Sequence, residues 1–271
     1  MNPEEIELRN MKLGINPMMG EWNVTIIGHP VPYSSTNKNE KERWEREIRS
    51  TLCSNRSWIY SHQVSFGVEL FVDYQSVMET SEVADLDNYA KLICDSAKGI
   101  HGVVIDDCQF HRLDISWVDV PNKNHEQVIL NFRAAPDDFL LLPITIYEMS
   151  DGLFYPFSDN NWTQNGPKAV LVVERDQRLI GADAFTRVKK QLRHLQRKSG
   201  TPQFRSFQNT MSLWDHISVF VGGHAYVWGF NKTRVVDSGF SIILYLEWAS
   251  AHQDAVEQLT ALMLASLKSD T

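Results

Sequence analysis

The chain has 271 residues, is 43% hydrophobic and 22% charged, and carries a formal net charge of −8. This is ordinary globular composition, long enough for one large domain or two of ordinary size. The longest apolar runs, around Phe139–Tyr147 and Phe240–Leu246, fall well short of the roughly 20 residues a membrane helix needs.

The acidic N-terminus, with Glu4, Glu5 and Glu7 and no apolar core, does not read as a signal peptide. Three widely spaced cysteines, Cys53, Cys94 and Cys108, argue against a disulfide-stapled secreted domain and fit a reducing, cytoplasmic setting. A net acidic chain does not advertise nucleic-acid binding, because the phosphate backbone repels it. The acidity is uneven, however: residues 1–135 hold 20 Asp/Glu against 13 Lys/Arg. Nine of those carboxylates fall between Glu79 and Asp119.

Residues 1–22 read as an N-terminal arm. Asn23–Ile27 is a strand, stopped at His29-Pro30-Val31-Pro32, where two prolines prevent continuation. Asn37 and Glu40 resemble a capping box, and Trp44, Ile48 and Leu52 then recur at four-residue spacing, an amphipathic helix over 39–53. Its other faces mix Lys41, Arg43, Arg46 and Arg49 with Glu42, Glu45 and Glu47, a pattern most simply read as solvated. Gln63–Tyr74 alternates as a strand. Asp87–Lys98 is a helix with Leu92, Ile93 and Ala97 inward and Gly99 as its stop. Cys108–Val118 is a strand with Leu113, Ile115 and Trp117 on one face and Arg112, Asp114 and Ser116 on the other. Val128–Arg133 is one more. The expected fold class is α+β, with a first domain over 23–135.

A second α+β unit is expected over 136–271. Its elements are a strand at Phe139–Met149, a loop from Ser150 to Pro167, a strand at Lys168–Glu174 and a helix at Asp183–Lys198. A hairpin follows, Ile217–Val221 and His224–Phe230 around Gly222-Gly223, then a strand at Phe240–Trp248 and a C-terminal helix through Val256, Leu259, Met263 and Leu267. Trp214, Tyr226, Trp228 and Trp248 read as core residues. None of these elements carries a nameable chemical motif, so the second unit's role stays open.

The chemistry concentrates in Asp85-Leu86-Asp87-Asn88-Tyr89-Ala90-Lys91, then Asp95, Gly99 and Asp106-Asp107-Cys108-Gln109. Asp85 and Asp87 lie where a loop enters a helix, a position that favours carboxylates, and Lys91 shares a helical face with Asp87. Asp106 and Asp107, read as the start of a strand, point opposite ways, so one can join the helix-start carboxylates. Three carboxylates that converge repel one another unless one takes a proton or a divalent cation sits among them. Mg²⁺ suits such oxygen ligands and is usually completed by substrate phosphate. A nearby lysine can steady charge in phosphodiester hydrolysis. Each feature taken singly is more often structural.

The order D-x-D-N-x-x-K, an Asp one turn later, a Gly, then D-D-x-Q resembles the RusA family of Holliday-junction resolvases and related endonucleases, over roughly residues 23–133. The resemblance implies a RusA-like domain, a mixed sheet with two helices. It implies that Asp85, Asp87 and Asp107 bind metal, that Lys91 is the catalytic lysine, and that Asn88, Asp95 and Asp106 support the site. It further implies Mg²⁺, for which Mn²⁺ can substitute, and a homodimer cutting branched DNA. Lys38 and Lys41, before and in the first helix, and the stripe Lys189, Lys190, Arg193 and Arg197 are the candidate DNA contacts. Such contacts would give a steep salt dependence.

Other readings carry less. A zinc site from Cys94, His101, Cys108 and His111 matches no common spacing. No phosphate-loop, dinucleotide or hydrolase-elbow motif occurs, so no nucleotide cofactor is expected. D-x-D transfer chemistry would need a nucleotide-binding domain ahead of the motif, and none is evident. A non-catalytic assembly protein that keeps the fold is the competing reading from another class.

Overall fold

The computed structural model describes residues 21–54, 56–79, 84–134, 139–159, 162–165, 170–173, 176, 178–184, 186–187, 190, 229–258 and 260–261. The chain is α+β and divides into two compact units: Met1–Leu140 with Asp237–Gly239, and Leu141–Val236 with Phe240–Thr271.

In the first unit four strands form one mixed sheet in the order β1-β5-β3-β4: β1 (Glu21–Ile27), β5 (Gln127–Arg133), β3 (Val64–Asp73) and β4 (Phe110–Val120); the short β2 (Trp58–Tyr60) is not part of it. β5 runs antiparallel to both β1 and β3, whereas β3 and β4 are parallel. The ends of β1, β3 and β4 therefore meet the start of β5 at one edge of the sheet. Period-2 alternation sends one face inward: Trp22, Val24 and Ile26 from β1, Phe66, Val68 and Leu70 from β3, and Val128, Leu130 and Phe132 from β5 are all buried. Phe66 and Phe132 stack with ring centroids 4.5 Å apart, and Trp22 stacks on Phe132 from the other side at 5.6 Å. Leu113, Ile115 and Trp117 pair in register with Phe66, Val68 and Leu70, so the apolar set of β4 lies on that same face. Leu113 is nevertheless 42% exposed, because β4 is an edge strand.

Among the described residues, two longer helices accompany this sheet. The first (Lys38–Cys53) buries Trp44, Ile48 and Leu52, the expected stripe. Its cap is half a box: Asn37 Oδ1 accepts from Glu40 N at 3.2 Å, while the Asn37 amide goes to Ser35 Oγ. The motif helix (Leu86–Ser96) buries Tyr89, Ala90, Leu92 and Ile93. Beyond it Gly99 takes a φ of 79°, and a Cβ there would lie 2.8 Å from the Ser238 carbonyl oxygen, so glycine is required. Tyr89 meets Trp117 edge-on at 5.3 Å.

The second unit departs further from expectation. Phe139–Met149 is two strands, β6 (Phe139–Leu141) and β7 (Ile144–Glu148), separated at Pro143. The segment Ser150–Pro167, expected as loop, contains β8 (Phe154–Ser158) and β9 (Trp162–Asn165), and β9 pairs with β10 (Val170–Val173). β8 carries Pro156, and it is the edge of a sheet ordered β11 (Ser241–Leu244), β7, β8, where a missing N–H is tolerated. Phe240–Trp248 is a strand only at β11 (Ser241–Leu244); Tyr245–Ala251 is helical and buries Tyr245 and Trp248. A continuous apolar run does not distinguish the two periods. The helix expected from Asp183 begins earlier, with helical backbone at 178–184. The Gly222-Gly223 hairpin, apart from Gly229 and Phe230, lies outside the described residues, as do Trp214, Tyr226 and Trp228. Among the described residues no helix is long and apolar enough to cross a membrane.

Candidate functional site

Asp85 is the N-cap of the motif helix, yet its side chain makes no capping hydrogen bond. The carboxylate is left exposed, as is that of Asp87 in the first turn. Asn88 accepts at its carbonyl a 2.9 Å hydrogen bond from Tyr33 N, which ties the helix start to the proline-rich segment after β1. Lys91, one turn on from Asp87, carries its ammonium over the Tyr33 ring at 4.1 Å. Lys41 reaches the same ring at 4.4 Å and donates to the Tyr33 carbonyl at 2.8 Å. The candidate catalytic lysine and one candidate DNA-contacting lysine thus share one exposed tyrosine. Lys38 points elsewhere, to Glu42 at 3.6 Å.

Asp106 and Asp107 are not on a strand. They open a 3₁₀ turn (Asp107–Gln109) ahead of β4, which replaces the alternating geometry expected of them. Asp106, buried, is the cap: its Oδ1 accepts from Cys108 N at 3.1 Å, and Gln109 closes a reciprocal capping box. The fully buried Gln109 amide accepts from Ile105 N at 2.7 Å and donates to Tyr60 and His62 carbonyls at 3.1 and 2.9 Å. The D-D-x-Q spacing is therefore a folding device. Its two outer members are consumed in the turn, and Asp107 is the one presented outward.

Asp107 lies at the far end of the motif helix from Asp85. Its Oδ2 is 3.7 Å from Lys98 Nζ, which also donates to Asp95 at 2.7 Å. These side chains are about one-third exposed, so the pairing is partly screened. Burial lowers the pKa of the Lys98 ammonium, but the hydrogen bond to Asp95 and the charges of Asp107, Asp95 and Asp106 outweigh it and leave the pKa raised. Burial, with the charges of Asp107 and Asp95, pushes the neighbouring Cys94 thiol up to about 12. Eight residues separate Asp87 from Asp95, about 12 Å of helix rise. Asp85 and Asp87 are therefore grouped with Lys91, and Asp107 is grouped with Asp95 and Lys98. Among the described residues no set of three or more His, Cys, Asp or Glu side chains is close enough to hold one metal ion. Asp85 and Asp87 are exposed oxygen donors, which by chemistry suits a water-rich Mg²⁺ completed by phosphate.

The histidines and cysteines weighed for zinc lie in different places: His101 is beside Cys53, with Cys53 Sγ 3.0 Å from its carbonyl, and His111 is beside Ser65 at 3.4 Å. In the second unit Lys190 donates to the Ser150 carbonyl at 3.2 Å, so this member of the basic stripe makes an internal contact. Lys189, Arg193 and Arg197 lie outside the described residues. Sequence reasoning missed Tyr33, Lys98 and the pair His29–Glu126, whose partners are 97 residues apart. Only the two prolines around His29 and Val31 hinted that this segment is held rigidly. No protein-family model matches the chain, and no curated protein matches it.

Proposed function

We propose that the chain is a metal-dependent endodeoxyribonuclease that hydrolyses phosphodiester bonds in branched DNA, acting as a homodimer. The reading rests on the RusA-like order of motif residues. The observation that carries it is the helix start, where two exposed carboxylates, Asp85 and Asp87, which make no side-chain hydrogen bond or ion pair among the described residues, stand beside two lysines gathered on Tyr33. Opposite charges so arranged suit a phosphodiester, whose anionic oxygens need cations and whose attacking water needs activation. A bound Mg²⁺ would polarise a phosphoryl oxygen and acidify water. Asp85 and Asp87 would hold it. Lys91 would stabilise the charge that grows on the phosphoryl oxygens, and Lys41 would fix a neighbouring phosphate. Tyr33 keeps both ammonium groups in place by cation–π contact, worth about 0.5–1 kcal/mol at an exposed site. Asp107 would join only after release from Lys98, or would serve through a second copy of the chain.

The test is Mg²⁺-dependent cleavage of junction, flap, single-stranded and linear duplex DNA. Thermal melting with Mn²⁺ or Mg²⁺ should show stabilisation that Asp85→Asn removes. The competing reading, a non-catalytic assembly protein, is favoured by the ion pair that engages Asp107. It predicts neither cleavage nor metal-linked stabilisation.

A further inference from the structure

Glu126, immediately before β5, has a side chain only 2% exposed. A buried carboxylate is costly unless each oxygen has a partner. Oε1 accepts from Asp73 N, at the end of β3, at 3.0 Å, and Oε2 lies 2.9 Å from His29 Nδ1. The backbone closes the same junction, with Gly28 N donating to the Glu126 carbonyl at 2.9 Å. Gly28 takes a φ of 127°, which turns the chain out of β1 and sets His29 against the carboxylate. The imidazole is 40% exposed. Its front is therefore open, while the carboxylate behind it is sealed.

An ionised carboxylate can only accept, so Nδ1 must carry the hydrogen of this contact. That fixes the tautomer: in the neutral ring the Nε2 lone pair faces away from Glu126, and Nε2 makes no hydrogen bond among the described residues. A carboxylate behind an imidazole serves two ends. It orients the ring, and it stabilises the imidazolium formed when the ring takes a proton.

The junction lies at the same end of the unit as the helix start. Tyr33, four residues beyond His29 across Pro30 and Pro32, is bonded to Asn88. Burial raises the pKa of the Tyr89 phenol; the hydrogen bond it accepts from Ala84 N, one residue before Asp85, works the other way, and the Glu126 charge adds to the rise.

We propose that His29 is the proton acceptor of the hydrolytic step, with Glu126 as its positioning residue; the inference rests on the endonuclease reading above. The water oxygen bonds to phosphorus, and its proton passes to His29 Nε2. The bond from phosphorus to the leaving sugar oxygen breaks. That oxygen takes a proton from solvent, to which His29 returns its own. No oxidant or further reactant is needed.

The full chain is assayed for DNA cleavage with Mg²⁺ as wild type, His29→Asn and His29→Ala. Asparagine keeps a donor at the Nδ1 position and so keeps the tie to Glu126, but it has no Nε2. The expected result is a kcat loss of about a hundredfold or more in both variants, an unchanged KM, an unchanged melting temperature for His29→Asn, and partial recovery of His29→Ala by added imidazole. Wild-type cleavage matched by His29→Asn overturns the role of His29 and leaves the endonuclease reading standing. Loss of activity without imidazole rescue overturns it too, since a merely structural tie is not restored by a free base. Wild-type protein that cleaves no DNA overturns both.

Discussion

The two ends of the motif helix use the same residue types in opposite ways. At its start, Asp85 and Asp87 are exposed, the Asp85 side chain declines its capping bond, and Lys91 and Lys41 rest on a tyrosine ring. At its far end, Lys98 bridges Asp95 and Asp107, while Asp106 and Gln109 lock a turn. Carboxylates absorbed into ion pairs and caps hold a fold. Those left uncommitted beside cations can bind something else. The contrast teaches that counting aspartates in a motif is not enough; each one's existing partner decides what it is available for.

The comparison can be broken by substitution. The largest effect is expected from Asp87→Asn, which should lower DNA cleavage about a thousandfold while melting stays within about 0.5 kcal/mol of wild type. Equal activity would remove the helix start from the chemistry. Next comes Gln109→Ala at the structural end. It strips partners from buried backbone groups at Ile105 and Tyr60 and from the half-buried His62 carbonyl, and denaturant titration should register a loss of about 3 kcal/mol.

Smaller effects sharpen the contrast. Lys41→Ala should weaken DNA binding evenly across sequences and reduce the slope of log affinity against log salt by about 1. Lys98→Met should cost less than about 1 kcal/mol, because its ion pairs are partly exposed. The smallest is a reactivity difference. Cys94, held up to about 12, should resist thiol alkylation at pH 8 while the exposed Cys108 reacts. The linked stability follows in sign: the folded state keeps the Cys94 proton above the ordinary value of 9.0, so this contribution is complete below pH 9 and declines as pH climbs toward about 12. Cys94→Ala should flatten that decline.

Much of the first unit was legible because its periods are clean. Trp44, Ile48 and Leu52 mark one helix face, and β1, β3 and β5 alternate about a single apolar side. The second unit was harder. Edge strands tolerate Pro156, and an apolar run from Phe240 changes from extended to helical without a polar break. The motif's membership was legible, but its geometry was not. Asp106 and Asp107 were expected to alternate on a strand, whereas the four hydrogen bonds of the buried Gln109 side chain bend them into a turn. Lys98 gave no signal, since one lysine after a helix is unremarkable until Asp95 and Asp107 are seen on either side of it. His29–Glu126 joins residues 97 apart, a pairing that only the register of β1 on β5 creates.

The most direct measurement is cleavage of a synthetic four-way junction by the wild-type chain and by Asp87→Asn, each with Mg²⁺ and with a chelator. Metal-dependent strand cutting by the wild type alone is the predicted result. A wild-type chain that leaves the junction, flap and duplex substrates intact in Mg²⁺ and in Mn²⁺ would contradict the account.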